Sequence, residues 1–284
     1  MLSEDEIVKE MIKANATEAY RDAAQPAVRV VGQSIAQCVS LFVTPIGRMA
    51  AILEKNLHLY LDKLDRYKEK ELISPDVRIL VPILEKLRYT EDIVVAEYYA
   101  EILAKASTKE NSKRVLISFI EILNRLSSDE IKILEYINSN DNIVDFEPIT
   151  EEESGQLNLP AGFCKAVIKG AVPVIDIKIV QSGTTGFSIA GRNCNLLPDL
   201  INLSGPRNID SYVDNMISLG LLERPHDRSF ANKKIYSKLE NDPNVIELQK
   251  GLAKSQRIEF DRAQLAITSL GVKLLELCST GVKP

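Results

Sequence analysis

The sequence has 284 residues, of which 45% are hydrophobic and 26% charged, and its net charge is −5. That length suits one large domain or two small ones, and that composition is typical of a globular protein with a substantial core. The negative charge argues against a protein that coats nucleic acid. The absence of tryptophan and the low aromatic content, 6%, argue against a surface that stacks bases or sugars.

The cysteines and the first ten residues indicate a cellular compartment. Cys38, Cys164, Cys194 and Cys278 stand far apart, which is typical of reduced, buried thiols rather than of disulfides or a zinc site. The first ten residues contain four acidic side chains and no apolar run after a basic one, so we expect no secretory signal. We therefore expect a cytoplasmic protein.

The first predicted helices cover residues 3–24 and residues 26–47. The first begins with capping-box spacing, and the second contains eighteen successive residues without a charge, 30–47. On a helical wheel the polar side chains of this second helix fall in one narrow sector, so most of its circumference is apolar. Such a helix must be buried in protein or in lipid. The candidate membrane or partner contacts on it are Gln33, Gln37, Val39 and Phe42.

A long helix is predicted over residues 46–71, because apolar side chains recur there at steps of three and four residues. Leu53, Tyr60 and Leu64 are central members of this seam. The simplest interpretation is an antiparallel helix pair, residues 26–71, within a larger helical bundle. A hairpin that is masked in the bundle and inserts into a membrane after activation is the alternative.

Four helix starts are predicted between residues 74 and 137. Ser74 supplies a capping hydroxyl ahead of Pro75, and similar capping groups occur at residues 90–92 and 111–112. Ser127 has capping-box spacing to Glu130. Residues 1–126 therefore predict an N-terminal helical bundle.

The order of these elements resembles that of the abortive infection alpha proteins, a bacterial family of unknown function. The matching segments are Leu80–Glu85, Glu91-Asp92, Tyr99–Ala104, Leu123–Leu126, Ser128–Leu134, Ser218–Leu221 and Thr268–Cys278. Two departures are conservative, since Tyr99 replaces a tryptophan and Ile102-Leu103 a pair of leucines. The resemblance is weakest between residues 138 and 208. It implies an anti-phage role of the abortive-infection type.

The pattern changes after residue 138. Residues 138–162 are acidic and interrupted by proline and glycine, without neighbouring cations, which predicts an exposed connection with at most a short helical turn. Residues 174–180 then alternate with period two, and Ile175 and Ile177 share one face. A glycine-rich turn and a returning strand, residues 187–190, complete a predicted β-hairpin.

The C-terminal part predicts a winged-helix-like α+β domain over residues 127–284. Its parts are helices at 127–138 and 208–219, a short strand at 221–224, and a last strand that leads through Thr268 into a terminal helix. The hairpin belongs to an insertion at about 139–207. The predicted fold class is thus mainly α, with a helical bundle followed by this second domain.

No catalytic, cofactor or metal site is predicted. His58 lies on a helix between Glu54 and Asp62, which is more typical of a surface charge cluster than of a catalytic base. His226 falls in a polar turn. No cysteine or histidine pair has the spacing of metal ligands, and no glycine-rich turn has that of a phosphate cradle. We therefore predict that the protein is not an enzyme.

Nucleic acid is a weaker candidate partner. The helix that would read bases contains Asp210 and Asp214 but no lysine or arginine, so it would meet phosphates unfavourably. The next segment, residues 224–238, is basic and predicts either a solvated hairpin or a wing on the DNA backbone. Its candidate contacts are Arg224, Arg228, Lys233, Lys234 and Lys238.

The resemblance implies an anti-phage protein that acts by binding another protein, of phage or host origin, and the residue patterns themselves predict only that it is non-enzymatic. A second copy of the chain is an alternative partner, which would give a homo-oligomer. Two other functions stay as alternatives: a membrane-perturbing effector that uses the hairpin at 26–71, and a winged-helix DNA-binding regulator that uses the basic segment at 224–238.

Overall fold

The computed structural model describes five stretches of the chain, at residues 47–139, 143–183, 185–205, 209–225 and 227–278. Their contacts group into two compact units, residues 47–128 with 274–278 and residues 129–273. The first is helical and the second contains antiparallel sheets, so the fold is mixed α+β and richer in strand than the predicted class. The predicted domain limits stay predictions. The predicted helices before residue 47, with Gln33, Gln37, Val39 and Phe42, lie outside the described residues.

The described part of the first unit contains four whole helices, together with residues 274–278 of the last helix of the chain. The four are α1 (Gly47–Leu64), α2 (Val77–Leu87), α3 (Ile93–Ala106) and α4 (Ile117–Leu123), with 3₁₀ turns at Glu69–Glu71 and Ser112–Arg114. Helix α3 contacts the other three and is the most buried of them. Leu53, Tyr60 and Leu64 are buried along α1, as the predicted seam requires, although this helix ends seven residues earlier than predicted.

Carboxylates start two of these helices. Asp76 rather than Ser74 caps α2, because its side chain accepts a hydrogen bond from the Arg78 N–H at 2.8 Å. Asp92 caps α3 by accepting from two backbone N–H groups. At residues 111–112, where a helix start was predicted, only a 3₁₀ turn begins. Val115 and Leu116 are extended, so α4 begins at residue 117.

A charge network lies inside this helical unit. Glu101 of α3 is only 2% exposed, and its carboxylate lies 3.5 Å from Lys63 Nζ and 3.1 Å from Arg66 Nη1. Lys105 Nζ is 3.9 Å away, and burial lowers the pKa of this lysine. A buried carboxylate is tolerated only when cations compensate its desolvation. One buried acid of the helical unit thus lies within 4 Å of three cations.

We expect Glu101→Gln to lower the free energy of unfolding by about 3 kcal/mol, because Lys63 would be left buried with less compensating charge. Glu97 also pairs with Lys63, at 3.6 Å, but is half-exposed. The control Glu97→Gln should therefore cost less than about 1 kcal/mol. Urea unfolding at neutral pH measures both, and equal effects of the two substitutions would contradict the assignment.

The second unit combines short helices with two antiparallel sheets. Its helices are α5 (Ser128–Asn138), α6 (Glu151–Leu157), α7 (Leu197–Leu200), α8 (Asp210–Ser218), α9 (Ser237–Glu240), α10 (Pro243–Lys250) and the first half of α11 (Ser269–Cys278). Its strands are β1 (Ile143–Asp145), β2 (Lys165–Val167), β3 (Ala171–Gln181), β4 (Phe187–Cys194), β5 (Leu222–Glu223) and β6 (Gln256–Ile267). Strands β1 and β2 pair with each other, and the larger sheet has the order β4-β3-β6-β5.

The predicted hairpin is present as β3 and β4, and Ile175 and Ile177 are buried on one face of β3. The strand predicted just before Thr268 is the end of β6, but the prediction missed that β6 begins at Gln256 and pairs with β3 over eleven successive residues from Ala171 to Gln181. Its first half does alternate, since Ile258 and Phe260 are flanked by Arg257, Glu259 and Asp261, but the density of charge there obscures the strand pattern. This strand accounts for most of the sheet content that the predicted class lacks.

The segment predicted as an exposed connection is partly folded. Phe146 and Ile149 are buried in an apolar cluster with Ile168, because the pairing of β1 with β2 packs this segment against the rest of the second unit. Thr150 and Glu153 form a capping box at the start of α6. The acidic charge there is not unopposed, since Glu153 also forms an ion pair with Lys234 at 2.8 Å.

Asp129 of α5 holds a distant loop. Its buried carboxylate accepts hydrogen bonds from the backbone N–H of Ser204 at 2.9 Å and of Gly205 at 2.7 Å, and it pairs with Lys132. A Cβ at Gly205 would lie 2.3 Å from the Tyr212 hydroxyl, so a larger residue there would require the tyrosine side chain to move. Burial alone would raise the pKa of the Asp129 carboxyl, but these donors outweigh it and hold the pKa below its usual value.

We expect Asp129→Asn to lower the free energy of unfolding by about 2 kcal/mol at neutral pH, because hydrogen bonds to an ionised acceptor are lost. The carboxylate's contribution exists above its usual pKa of 3.8 and disappears as the pH falls through the lower folded value. As the pH is lowered below about 4, the stability of the variant should therefore fall less than that of the wild type, and the difference between the two should shrink. Denaturant unfolding across pH tests this, with exposed Glu259→Gln as a control that should match the wild type.

Candidate functional site

The larger sheet has one covered face and one open, charged face. On the covered face, Ile175 and Ile177 of β3 pack against Tyr236, Leu239 and Val245 from the segment between β5 and β6. On the other face a groove of about 370 Å³ lies between the sheet and α8. Its lining consists of Asp176, Lys178, Phe187, Ile189, Arg192, Asn193, Asp214, Ile217, Arg224 and Asp261. We call this surface the charged groove.

A cross-strand pair of like charges lies in the charged groove. Asp176 of β3 is directly opposite Asp261 of β6, an arrangement that is unfavourable unless cations separate the carboxylates. Arg224 Nη1 donates to Asp176 Oδ1 at 2.9 Å, and Lys178 Nζ lies 3.1 Å from Asp261 Oδ2. Each carboxylate therefore has its own cation.

Asn193 completes the better buried of these two pairs. Its backbone N–H donates to Asp176 Oδ1 at 2.9 Å, and its side-chain oxygen accepts from Arg224 Nη1 at 2.9 Å. This residue has a φ of 48°, a left-handed conformation that asparagine tolerates better than most residues. The three side chains thus lock the end of β4 to β3 and to the chain after β5.

The outer edge of the charged groove is apolar. Phe187 is 55% exposed and Ile189 is 40% exposed, both on β4, which is an edge strand of the sheet. The Lys178 Nζ lies 4.8 Å from the centroid of the Phe187 ring, close enough for a cation–π contact. Arg192 is exposed at the same edge, and no acceptor pairs with it among the described residues.

Titrating groups beside the groove do not resemble an activated nucleophile. Burial raises the pKa of the Asp210 carboxyl, and the nearby carboxylates of Asp214 and Asp176 add to the shift. Burial, and after it the nearby carboxylates of Asp210 and Asp176, raises the pKa of the Cys194 thiol, which lowers its thiolate content. Within the described stretches, no three acidic, cysteine or histidine side chains are grouped to hold a metal ion. What this arrangement offers is paired charge and exposed apolar surface.

The predicted basic segment, residues 224–238, does not form the hairpin that we expected. After β5 it runs as a loop into a 3₁₀ turn (Lys233–Tyr236) and α9, because Ile235, Tyr236 and Leu239 pack under the sheet. This burial fixes which basic side chains can reach solvent.

The five candidate cations are therefore dispersed. Arg224 lies in the charged groove with Asp176, whereas Lys234 pairs with Glu153 and donates to the Pro148 carbonyl at 2.6 Å. Arg228, Lys233 and Lys238 are exposed. The structure thus brings only one of the five residues into the groove.

His58, the histidine that the structure describes, does not line this groove. His58 is exposed on α1 of the helical unit, and His226 lies outside the described residues. No helix within the described part of the chain is both long and apolar enough to cross a membrane.

Sequence reasoning missed most of the charged groove. Asp176, Asn193 and Asp261 come together through the register of three strands, which the sequence does not reveal. The sequence of β4 could have indicated the apolar edge of the groove. Phe187 and Ile189 alternate there with small residues, and no apolar segment nearby in the sequence is an evident partner for them.

Double-mutant cycles should separate the two ion pairs of the groove. For Asp176→Ala and Arg224→Ala we expect a coupling energy of about 2 kcal/mol, because both side chains are largely buried and share Asn193. For Lys178→Ala and Asp261→Ala we expect less than about 1 kcal/mol, because Asp261 is exposed. Chemical denaturation of the wild type and the single and double variants measures both couplings. A larger coupling for the exposed pair would refute this ranking of the two ion pairs.

Comparison with known proteins gives one match. The family model described as abortive infection alpha matches residues 50–278, which include the whole second unit, most of the described first unit and every residue of the charged groove. No curated protein and no solved structure matches the chain. Because the model covers most of the sequence, the chain belongs to the abortive infection alpha family.

Proposed function

We propose that this protein takes part in anti-phage defence in the cytoplasm by binding another protein, without catalysing a reaction. Membership of the abortive infection alpha family suggests the defence role. The observation that supports protein binding is the exposed apolar pair Phe187 and Ile189 at the edge of the charged groove. Apolar side chains grouped at a polar surface are typical of protein interaction sites.

We also propose that the second unit is a variant of the winged helix. Helices α5 and α8 precede β5 and β6 in the order of that fold, and β6 lies between β3 and β5 as the last strand does there. Strand β4 and residues 224–255 are additions in this proposal. The observed sheet order supports it, because antiparallel partners that are distant in sequence are unusual for a simple meander.

A protein partner fits the charges better than duplex DNA. The helix in the recognition position, α8, exposes Asp214 and contains no lysine or arginine. Carboxylates on that helix would oppose the phosphate backbone. Two of the five basic residues after β5, Arg224 and Lys234, are already engaged by carboxylates.

A phage-challenge assay tests the proposed function. The double substitution Phe187→Ser with Ile189→Ser removes apolar contact worth about 3 kcal/mol, so partner binding should weaken by about 100-fold and protection should be lost. Efficiency of plating on cells that express each variant is the measurement, with a panel of phages.

The chain offers a matched control. Leu200 and Ile246 are also 55% and 40% exposed, but they lie away from the charged groove. Leu200→Ser with Ile246→Ser should therefore protect as the wild type does. Protection that survives in the groove variant, or that is lost equally in both, would contradict the proposal once thermal unfolding shows that both variants fold.

A further inference from the structure

Strand β4 has an open edge. Within the described residues it pairs only with β3, so its other side has backbone groups without a sheet partner. Edge strands are usually protected by lysine, proline or a bulge. The segment from Phe187 to Ala190 contains no lysine and no proline, and all four of its residues are exposed. This stretch can therefore pair with an additional strand.

The register of β4 defines how long that open stretch is. Phe187 pairs with Val180 and Ile189 with Lys178 in regular register, and the first irregularity follows Ile189. Beyond it, Gly191 fits closely against Cys194, whose Sγ would lie 2.8 Å from a Cβ at this glycine. The regular edge is thus short, and both of its apolar side chains line the charged groove.

The charges of the groove define the chemistry of an added strand. Arg224 and Lys178 are neutralised by Asp176 and Asp261, which leaves Arg192 as the cation without an acceptor among the described residues. An added strand would lie about 4.8 Å from β4, with alternate side chains facing the groove. Those side chains would contact Phe187 and Ile189 first and Arg192 next.

We propose that a partner protein contributes an extended segment that pairs with the free edge of β4, with apolar side chains at two alternate positions and a carboxylate that binds Arg192. This inference depends on the proposed function, since it specifies how the protein partner is bound. Strand addition combines main-chain hydrogen bonds for affinity with alternate side-chain contacts for specificity.

A second copy of this chain is the less suitable occupant. Between Phe187 and Cys194, β4 contains no acidic residue, so a paired β4 from another copy would provide apolar contacts but no β4 carboxylate for Arg192. The chain's net charge of −5 also opposes close approach of two copies. An acidic, apolar segment of a different protein satisfies both features of the groove.

Selection from a library of random dodecapeptides displayed on yeast tests this inference with the full-length protein as bait. The wild type should enrich peptides with apolar residues at alternate positions and an aspartate or glutamate. Arg192→Glu should instead enrich lysine or arginine at that position. For a selected peptide, Arg192→Glu should weaken binding by about tenfold, and reversing the peptide's own charge should restore it.

Matched edge variants provide the control. Ile189→Lys should abolish binding of the selected peptide, whereas Ile246→Lys, at a position of equal exposure on α10, should not change it. Selected peptides without a carboxylate, or peptides that bind both lysine variants equally, would overturn the inference. Failure to enrich any peptide would also overturn it. Dimerisation in sedimentation experiments that Ile189→Lys abolishes would overturn it too, because a second copy would then occupy the edge.

The two proposals fail in different ways. Loss of defence in the Phe187 and Ile189 double variant, combined with an unsuccessful peptide selection, would reject strand addition and retain protein binding. Full defence in that variant would reject protein binding through the groove, whatever the selection yields.

Discussion

The register between β3 and β6 is the constraint on which the second unit depends. Eleven successive residue pairs, from Ala171–Ala266 to Gln181–Gln256, fix which side chains face the core. This register places Ile175 and Ile177 on the apolar face and Asp176 opposite Asp261 on the other. Because side chains alternate along a strand, a slip of one residue would exchange the two faces. Burial of the apolar side chains on one face of the sheet thus also determines which charged side chains lie together on the other face.

The charged groove follows from that constraint. Two carboxylates held opposite each other require cations, and Arg224 and Lys178 provide them from different parts of the unit. Asn193 then joins Arg224 and Asp176, which fixes the far end of β4. The near end, from Phe187 to Ile189, keeps regular pairing with β3 and leaves its other edge open among the described residues. The same interactions that stabilise the sheet therefore present an apolar edge to a partner.

The sequence predicts the local elements of this protein better than their long-range pairing. Capping groups at the starts of α2 and α3, the seam of α1 and the alternation of β3 are short-range signals, and the corresponding elements are present, although the residue that caps α2 is Asp76 and not Ser74. Only the end of β6, before Thr268, was predicted, because charged residues occupy outward positions in its first half. Only its pairing with β3, more than 70 residues earlier in the chain, explains why Ile258 and Phe260 are covered.

The same limit applies to individual acids. Glu130 has the spacing of a helix-capping residue, and in the fold it also accepts a hydrogen bond from the distant Asn215 at 2.7 Å. The neighbouring Asp129 binds a loop some 75 residues away. Arg224 looked like one of several cations of a basic surface, whereas the partially buried carboxylate of Asp176 determines its position. Sequence spacing identifies these side chains as polar but not their partners.

Site-specific photocrosslinking in infected cells tests the central claim most directly. A photoreactive phenylalanine analogue at position 187 or 200 would probe two side chains that are equally exposed in the native protein. We predict a defined crosslinked protein from position 187 during infection and none from position 200. Crosslinking from position 200 alone, or from neither position in cells that remain protected, would contradict the account that the edge of the charged groove binds the partner.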